Sequence, residues 1–235
     1  MSKFIASLAH DLKNSIGNSM MYSELLSSEI QDFIDSSGTS SNEVNNWLMM
    51  NENIRLSNSK LINQINSWVY AHHILSGKYE EEQTNFSLND LIKSIVASNT
   101  LFITKKALQL EPDLGAREIF ITTDREILHL ILDNLLNQSI IFSNKADRIR
   151  FSIREDEDVI VIAIADSYGH SRPEIITRFL HEMEVTGDEV PSEGILKATG
   201  YGMIFSGLAI GELGATASVE DNDLGGVTFI ITFKK

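Results

Sequence analysis

The stretch DREILHLILDNLLNQSIIFS, residues 124–143, decides how the C-terminal half of the chain is built. Just before it, REIFITT (117–123) has the β-branched and bulky residues of a strand. Thr123 to Glu126 then has the spacing of a capping box, which predicts a helix running to about residue 142. On that helix His129 falls one turn after Arg125 and one before Asp133, and reads as a surface residue. Working outward, RIRFSIRE (148–155) and VIVIAIAD (159–166) predict a hairpin turning around Glu155 to Asp158. The tail predicts a Gly-flanked helix near 202–213, then strands in ATASVE and GVTFIITF with Asn222 to Gly226 between them. Upstream, Ser87 to Asp90 is a further capping box, opening a helix near 88–106. Residues 167–199 read as a long loop with a short helix around 173–182. This order predicts an α+β sandwich, one mixed sheet with helices on one face.

The first part of the chain has a different period. Ile5, Leu8, Ala9, Leu12, Ile16, Met20, Leu26, Ile30 and Ile34 form one stripe at helical spacing, and DSSGTSSNE (35–43) breaks it as a turn. From about 43 to 77, Trp47, Ile54, Leu61, Trp68 and Leu75 recur every seventh residue, the seam of a coiled coil. Two long helices joined by a short loop make an antiparallel hairpin. Its apolar stripes predict pairing with a second copy into a four-helix bundle, hence a homodimer; the alternative is packing against the protein's own C-terminal half. The acidic, polar stretch GKYEEEQTNFS (77–87) reads as a wet linker around Glu80, Glu81 and Glu82, and divides the chain into domains 1–80 and 81–235.

With 235 residues, 43% of them hydrophobic, the chain can bury a sizeable core in one large or two modest domains. A net charge of −14 opposes nonspecific nucleic-acid or anionic-membrane binding. The absence of cysteine removes thiol chemistry, disulfides and thiolate metal sites. No apolar run approaches the ~18–20 residues of a membrane span, and the start lacks a signal-peptide pattern. The expectation is a soluble, cytoplasmic chain without membrane insertion.

Six histidines are present. In LAHDLKNSIG (8–17), His10 falls ~140° from the apolar stripe at ~100° per residue, so it faces solvent, with Asp11 beside it and Asn14 one turn on. An imidazole beside a carboxylate can act as a nucleophile, and an amide nearby can orient water. The same geometry also describes an ordinary polar helix face. His72 and His73 close the second helix and read as bundle-end residues rather than metal ligands, since no acidic partner has ligand spacing. His181 reads as solvated.

HDLKNSIG resembles the phosphoacceptor box of two-component sensor histidine kinases. IRLSNSKLINQINSWVYAHHILSGKYE (54–80) is similar to that family's second dimerisation helix and its exit, so the resemblance covers nearly the whole chain. It implies that His10 accepts a phosphoryl group, that Asp11 is the base, and that Asn14 positions water for dephosphorylating a response regulator. Ser15 replaces the usual proline. DREILHLILDNLLNQSIIFS resembles the first box of the family's GHKL (Bergerat-type) ATPase domain. Asn134 takes the place of the leading asparagine; Gln138 replaces the magnesium-binding asparagine and Ile141 the phosphate-facing lysine. IADSYGHS (164–171) is similar to the next box: Asp166 would accept from the adenine amino group, while Tyr168 and His170 flank Gly169 where glycines are usual. ATGYGMIFSGLAIGELGATASVE (198–220) matches the last glycine box, with Thr199, Gly200 and Gly202 where a tight turn offers N–H groups to phosphate at a helix N-terminus. Phe179 resembles the aromatic that anchors the ATP lid. The resemblance therefore implies ATP with Mg²⁺ held weakly through Gln138 and Asn134, and phosphotransfer from His10 to a response-regulator receiver domain. A phosphotransferase or pseudokinase without ATP use, or a phosphatase or scaffold, are the alternatives.

Overall fold

The computed structural model describes residues 2–37, 42–167 and 193–235; for residues 2–11, 15, 37, 43, 193–201 and 204 it describes the backbone alone. The expectations for Tyr168, Gly169, His170, Phe179, His181 and the helix around 173–182 lie outside the described residues. The chain divides into two compact units, residues 1–72 and 73–235.

The first unit consists of helices α1 (Ser2–Ser37) and α2 (Asn42–Leu75), the second running three residues past the division. Their contacts are antiparallel: Asn51 Nδ2 donates to Ser27 Oγ at 2.8 Å, and Asn58 Nδ2 donates to Ser19 Oγ, also at 2.8 Å. Ser23 and Asn51, both buried, bond to each other, Asn51 Nδ2 also donating to the Ser23 carbonyl. Among the described residues of the hairpin, the buried side chains are Ser23, Asn51 and Ser67 on the polar side and Ile30, Val44 and Ile65 on the apolar side. Trp47, Ile54, Leu61, Trp68 and Leu75, the seven-residue repeat, are all exposed, by 45–63%.

The second unit contains β1 (Gln83–Ser87), α3 (Leu88–Lys105), β2 (Gln109–Asp113), β3 (Phe120–Asp124), α4 (Arg125–Phe142), β4 (Arg148–Glu155), β5 (Val159–Asp166), α5 (Glu193–Glu212), β6 (Thr216–Asp221) and β7 (Val227–Lys234). A five-stranded sheet runs β2-β4-β5-β7-β6, with β2 parallel to β4 and the other neighbours antiparallel. β1 and β3 pair separately, antiparallel. Alternation places Ile149, Phe151 and Ile153 of β4, Ile160, Ile162 and Ile164 of β5, and Phe229, Ile231 and Phe233 of β7 on one buried face. α4 packs on β5 and against α3 and α5. Ile127, Leu128, Ile131, Leu132 and Leu136 of α4 are completely buried between them. At ~1.5–3 kcal/mol per buried aliphatic side chain, α4 is the central element of this core. The expected mixed sheet with helices is the fold observed.

Several details differ from the sequence reading. β1 and β2 are strands it did not contain: β1 lies in what read as a wet linker, and β2 carries Pro112, which only an edge strand tolerates. The first strand of REIFITT begins at Phe120, and Ile119 N–H donates to the buried Asn89 Oδ1 at 2.9 Å instead. Asp124, not Thr123, caps α4, its carboxylate accepting from Ile127 N–H at 3.0 Å. Ser87 caps α3 as expected, accepting from Asp90 N–H at 3.2 Å.

Candidate functional site

The site is assembled around α4. Asn134, Gln138 and Ile141 follow one another at steps of four and three, so they lie along one side of the helix. Asn134 and Gln138 are half-buried, whereas Ile141 is 60% exposed. The C-terminal end of α4 is held by Lys106, whose Nζ donates to the carbonyls of Ile140, Ile141 and Ser143 at 2.7–2.9 Å. That cation is thus committed to the helix end, where α4 has no basic residue of its own in the last turn.

Asp166 ends β5 and is 2% exposed. Its Oδ1 accepts from Val227 N–H and its Oδ2 from Ser139 Oγ, both at 3.3 Å. Asn222 braces the same corner: Nδ2 donates to the Asp166 carbonyl at 2.9 Å, while Oδ1 accepts from Leu224 N–H and Gly226 N–H. β5, β7 and α4 therefore fix one buried carboxylate in position.

α5 completes the cluster. A Cβ on Gly202 would lie 2.6 Å from Asn134 Oδ1 and 2.8 Å from Cγ, so with the Asn134 amide in this position α5 has room only for a glycine at residue 202. Asn134 and Gly202, 68 positions apart in sequence, are brought together. The predicted turn before this helix is corrected, however. α5 begins at Glu193, so Thr199, Gly200 and Gly202 are within the helix, not at its N-terminus, and residues 193–199 are not loop. N–H groups inside an α-helix are directed to carbonyls four residues back and do not offer themselves to phosphate.

His10 and Asp11 are on the backbone of α1, their side chains outside the description; Asn14, one turn on, is exposed. His129 is half-buried rather than superficial. Burial lowers its pKa below 6.5, with nearby Arg125 acting in the same direction and Asp133 and Glu126 opposing. Ser139 and Lys106 were absent from the sequence reading, and Asn222 entered it only as the start of the turn between two strands. Asn222 opens the turn NDLGG, where an asparagine that bonds its own loop is a readable signal; Ser139 and Lys106 carry no local one.

The arrangement fits a nucleoside better than its phosphates. A buried, braced carboxylate suits an amino-bearing base. Asn134 and Gln138 provide neutral amide oxygens that could take part in oxygen coordination of Mg²⁺. Ile141 provides no cation, and among the described residues no group of three or more His, Cys, Asp or Glu could hold a metal. A groove of about 670 Å³ lined by Ile92, Val96, Thr100, Pro112 and Leu114 shares no residue with this cluster. Among the described residues no helix is long and apolar enough to cross a membrane.

Residues 123–235 match the family model of the histidine kinase-, DNA gyrase B-, and HSP90-like ATPases. The methyl sulfide methyltransferase-associated sensor of Methanosarcina acetivorans is 24% identical over 131 residues, 56% of this chain, which spans 13% of that sensor's length. Full-length ShkA, solved in complex with AMPPNP, superposes with a TM-score of 0.64 at 15% identity, covering 99% of this chain and 45% of its own. Histidine kinase AdeS of Acinetobacter baumannii gives 0.56 at 15% identity, over 90% of this chain and 94% of its own. The catalytic domain of histidine kinase ThkA gives 0.56 at 19% identity, over 66% and 96%. Residues 123–235 are thus similar to the histidine kinase-, DNA gyrase B-, and HSP90-like ATPases, and the chain has the fold of a histidine kinase catalytic core.

Proposed function

We propose that the protein is the phosphotransfer core of a two-component signalling system, working as a homodimer. His10 accepts a phosphoryl group and passes it to an aspartate on a response-regulator receiver domain. The observation that carries this reading is the union, in one chain, of an HDLKNSIG box on a helical hairpin with an ATPase-family unit. The exposed seven-residue repeat on α2 supports the dimer, because such a stripe is otherwise left in water. Asp11 takes the proton from the His10 imidazole, and the exposed Asn14 orients water when the receiver is dephosphorylated. ATP, when bound, supplies the phosphoryl group. Asp166 would hold the base, and Asn134 and Gln138 would supply amide oxygens toward Mg²⁺. Incubation with ATP labelled at the γ-phosphate tests this: label on the wild type and none on His10→Ala is expected, and label persisting in His10→Ala would falsify the assignment.

The second reading is a phosphotransferase that draws its phosphoryl group from a receiver and makes no use of ATP. Exposed Ile141 in place of a cation favours it, since losing one hydrogen bond to a charged group costs about 1.5–3 kcal/mol, roughly ten- to hundredfold in affinity. Titration calorimetry with ATP and Mg²⁺ separates the two. No binding heat, together with label transfer to His10 from a phosphorylated receiver, selects the second.

A further inference from the structure

The segment between α2 and β1 is fastened at nearly every step. Gly77 is in the left-handed region (φ 63°). Its N–H donates to the Ile74 carbonyl at 3.0 Å and the Lys78 N–H to the His73 carbonyl at 2.9 Å, the paired bonds of a Schellman stop. One residue on, Tyr79 Oη donates to Asp124 Oδ2 at 3.0 Å, and the Glu82 N–H donates to the same oxygen at 3.3 Å. Thr123 Oγ1 donates to Glu81 Oε1 at 3.3 Å, after which β1 pairs Gln83 with Asp124. The other oxygen of Asp124 accepts from Ile127 N–H at the start of α4. This carboxylate is 6% exposed, so a single buried group holds the linker with one oxygen and α4 with the other. All of these residues belong to the second unit.

We propose that Tyr79 and Asp124 form a latch that ties the end of α2 to the start of α4 without slack. Displacement of the last turn of α2 is thereby passed to the helix that carries Asn134 and Gln138. A free linker of the same five residues, 78–82, would let its ends wander by roughly 12 Å and absorb such a displacement. The clasped one cannot. The phenol is suited to the role because its ring is half-buried and its hydroxyl is a single aimed donor. Its burial favours the neutral donor over a phenolate, as do the hydrogen bond to Asp124 and the charges of Asp124, Glu81 and Glu212. The consequence for nucleotide rests on the proposed role of Asn134 and Gln138; the latch itself does not.

Limited trypsin digestion of the full chain tests it, because cleavage tracks local opening. Cleavage after exposed Lys78 is expected to accelerate roughly tenfold in Tyr79→Phe, the factor carried by one hydrogen bond to a charged group, with cleavage after Lys145, in the turn following α4, unchanged. Asp124→Asn, which retains a good helix cap, is expected to do the same at Lys78. Amide exchange at Ile127 should also quicken in Tyr79→Phe. Unchanged cleavage after Lys78 in both variants, or equal acceleration at Lys145, overturns the latch; unchanged exchange at Ile127 overturns the transmission to α4. None of these readouts uses nucleotide, so they stand whether or not ATP binds, and a negative result leaves the phosphotransfer reading untouched.

Discussion

At the residue scale, the Asn134–Gly202 contact is the sharpest constraint on the site. Gly202→Ala places a methyl group 2.6–2.8 Å from the Asn134 amide, so either the amide or α5 must move. Overpacking of this kind costs about 1–3 kcal/mol, and the lower end applies because the amide is the mobile end of its side chain. Urea unfolding should show that loss in Gly202→Ala and a smaller one when Asn134→Ala is combined with it; equal losses in the two backgrounds would mean that Asn134 is not the obstacle. His129 makes a pH prediction. Its pKa in the folded protein lies below 6.5, so the stability it contributes is present above pH ~6.5 and is lost as pH falls through the folded value, because the unfolded chain binds the proton first. The groups facing it are Arg125, Glu126 and Asp133. Denaturation series from pH 7.5 to 5 should be flatter for His129→Gln than for the wild type. The sequence placed Asn134, Gly202 and Asp166 in the site but not Ser139. The bond from Ser139 Oγ to Asp166 depends on how β5 lies against α4, which no local spacing encodes.

At the element scale, α4 is held at both ends by groups distant in sequence. Its N-terminus is held by Asp124 and, through it, by Tyr79 and Glu82; its C-terminus is held by Lys106. Lys106→Met keeps the aliphatic stem but strands three carbonyls, two of them on buried residues, Ile140 and Ser143. A loss of about 1–3 kcal/mol is expected in chemical denaturation, together with faster amide exchange in the last turn of α4. A loss indistinguishable from that of an exposed control such as Lys145→Met would show that water replaces the ammonium at no cost. Helices α1 to α4, the C-terminal part of α5 and the β4–β5 and β6–β7 pairs were legible in the sequence because periodicity and turn residues are local signals. β1 and β2 were not: each is five residues long with a mostly polar, exposed pattern, and becomes a strand only because β3 and β4 offer free edges.

At the scale of the whole molecule, Ile30, Val44 and Ile65 are the apolar side chains that the hairpin buries among its described residues. Its internal seam uses Ser19, Ser23, Ser27, Asn51 and Asn58, while the seven-residue repeat of α2 remains exposed. A buried polar layer specifies register at a cost in stability, and in the proposed dimer the exposed repeat adds apolar burial against a second copy. Ile54→Asp, in the middle of the repeat, is expected to convert a dimer to a monomer at micromolar concentration by light scattering, with the helical far-UV signal reduced. A monomeric wild type would contradict the bundle.

The two periods and the α+β class of the second unit are written in spacings of a few residues and so are readable from the chain alone, whereas Asn134 and Gln138 on α4, Asp166 on β5 and His10 on α1 were singled out by motif resemblance. Only the tertiary structure decided that Gly202 lies against Asn134, that Ser139 and Val227 fix Asp166, that α5 runs through the glycine box, and that Asp124 joins the linker to α4. These are contacts between residues up to 68 positions apart, set by how helices pack on a sheet.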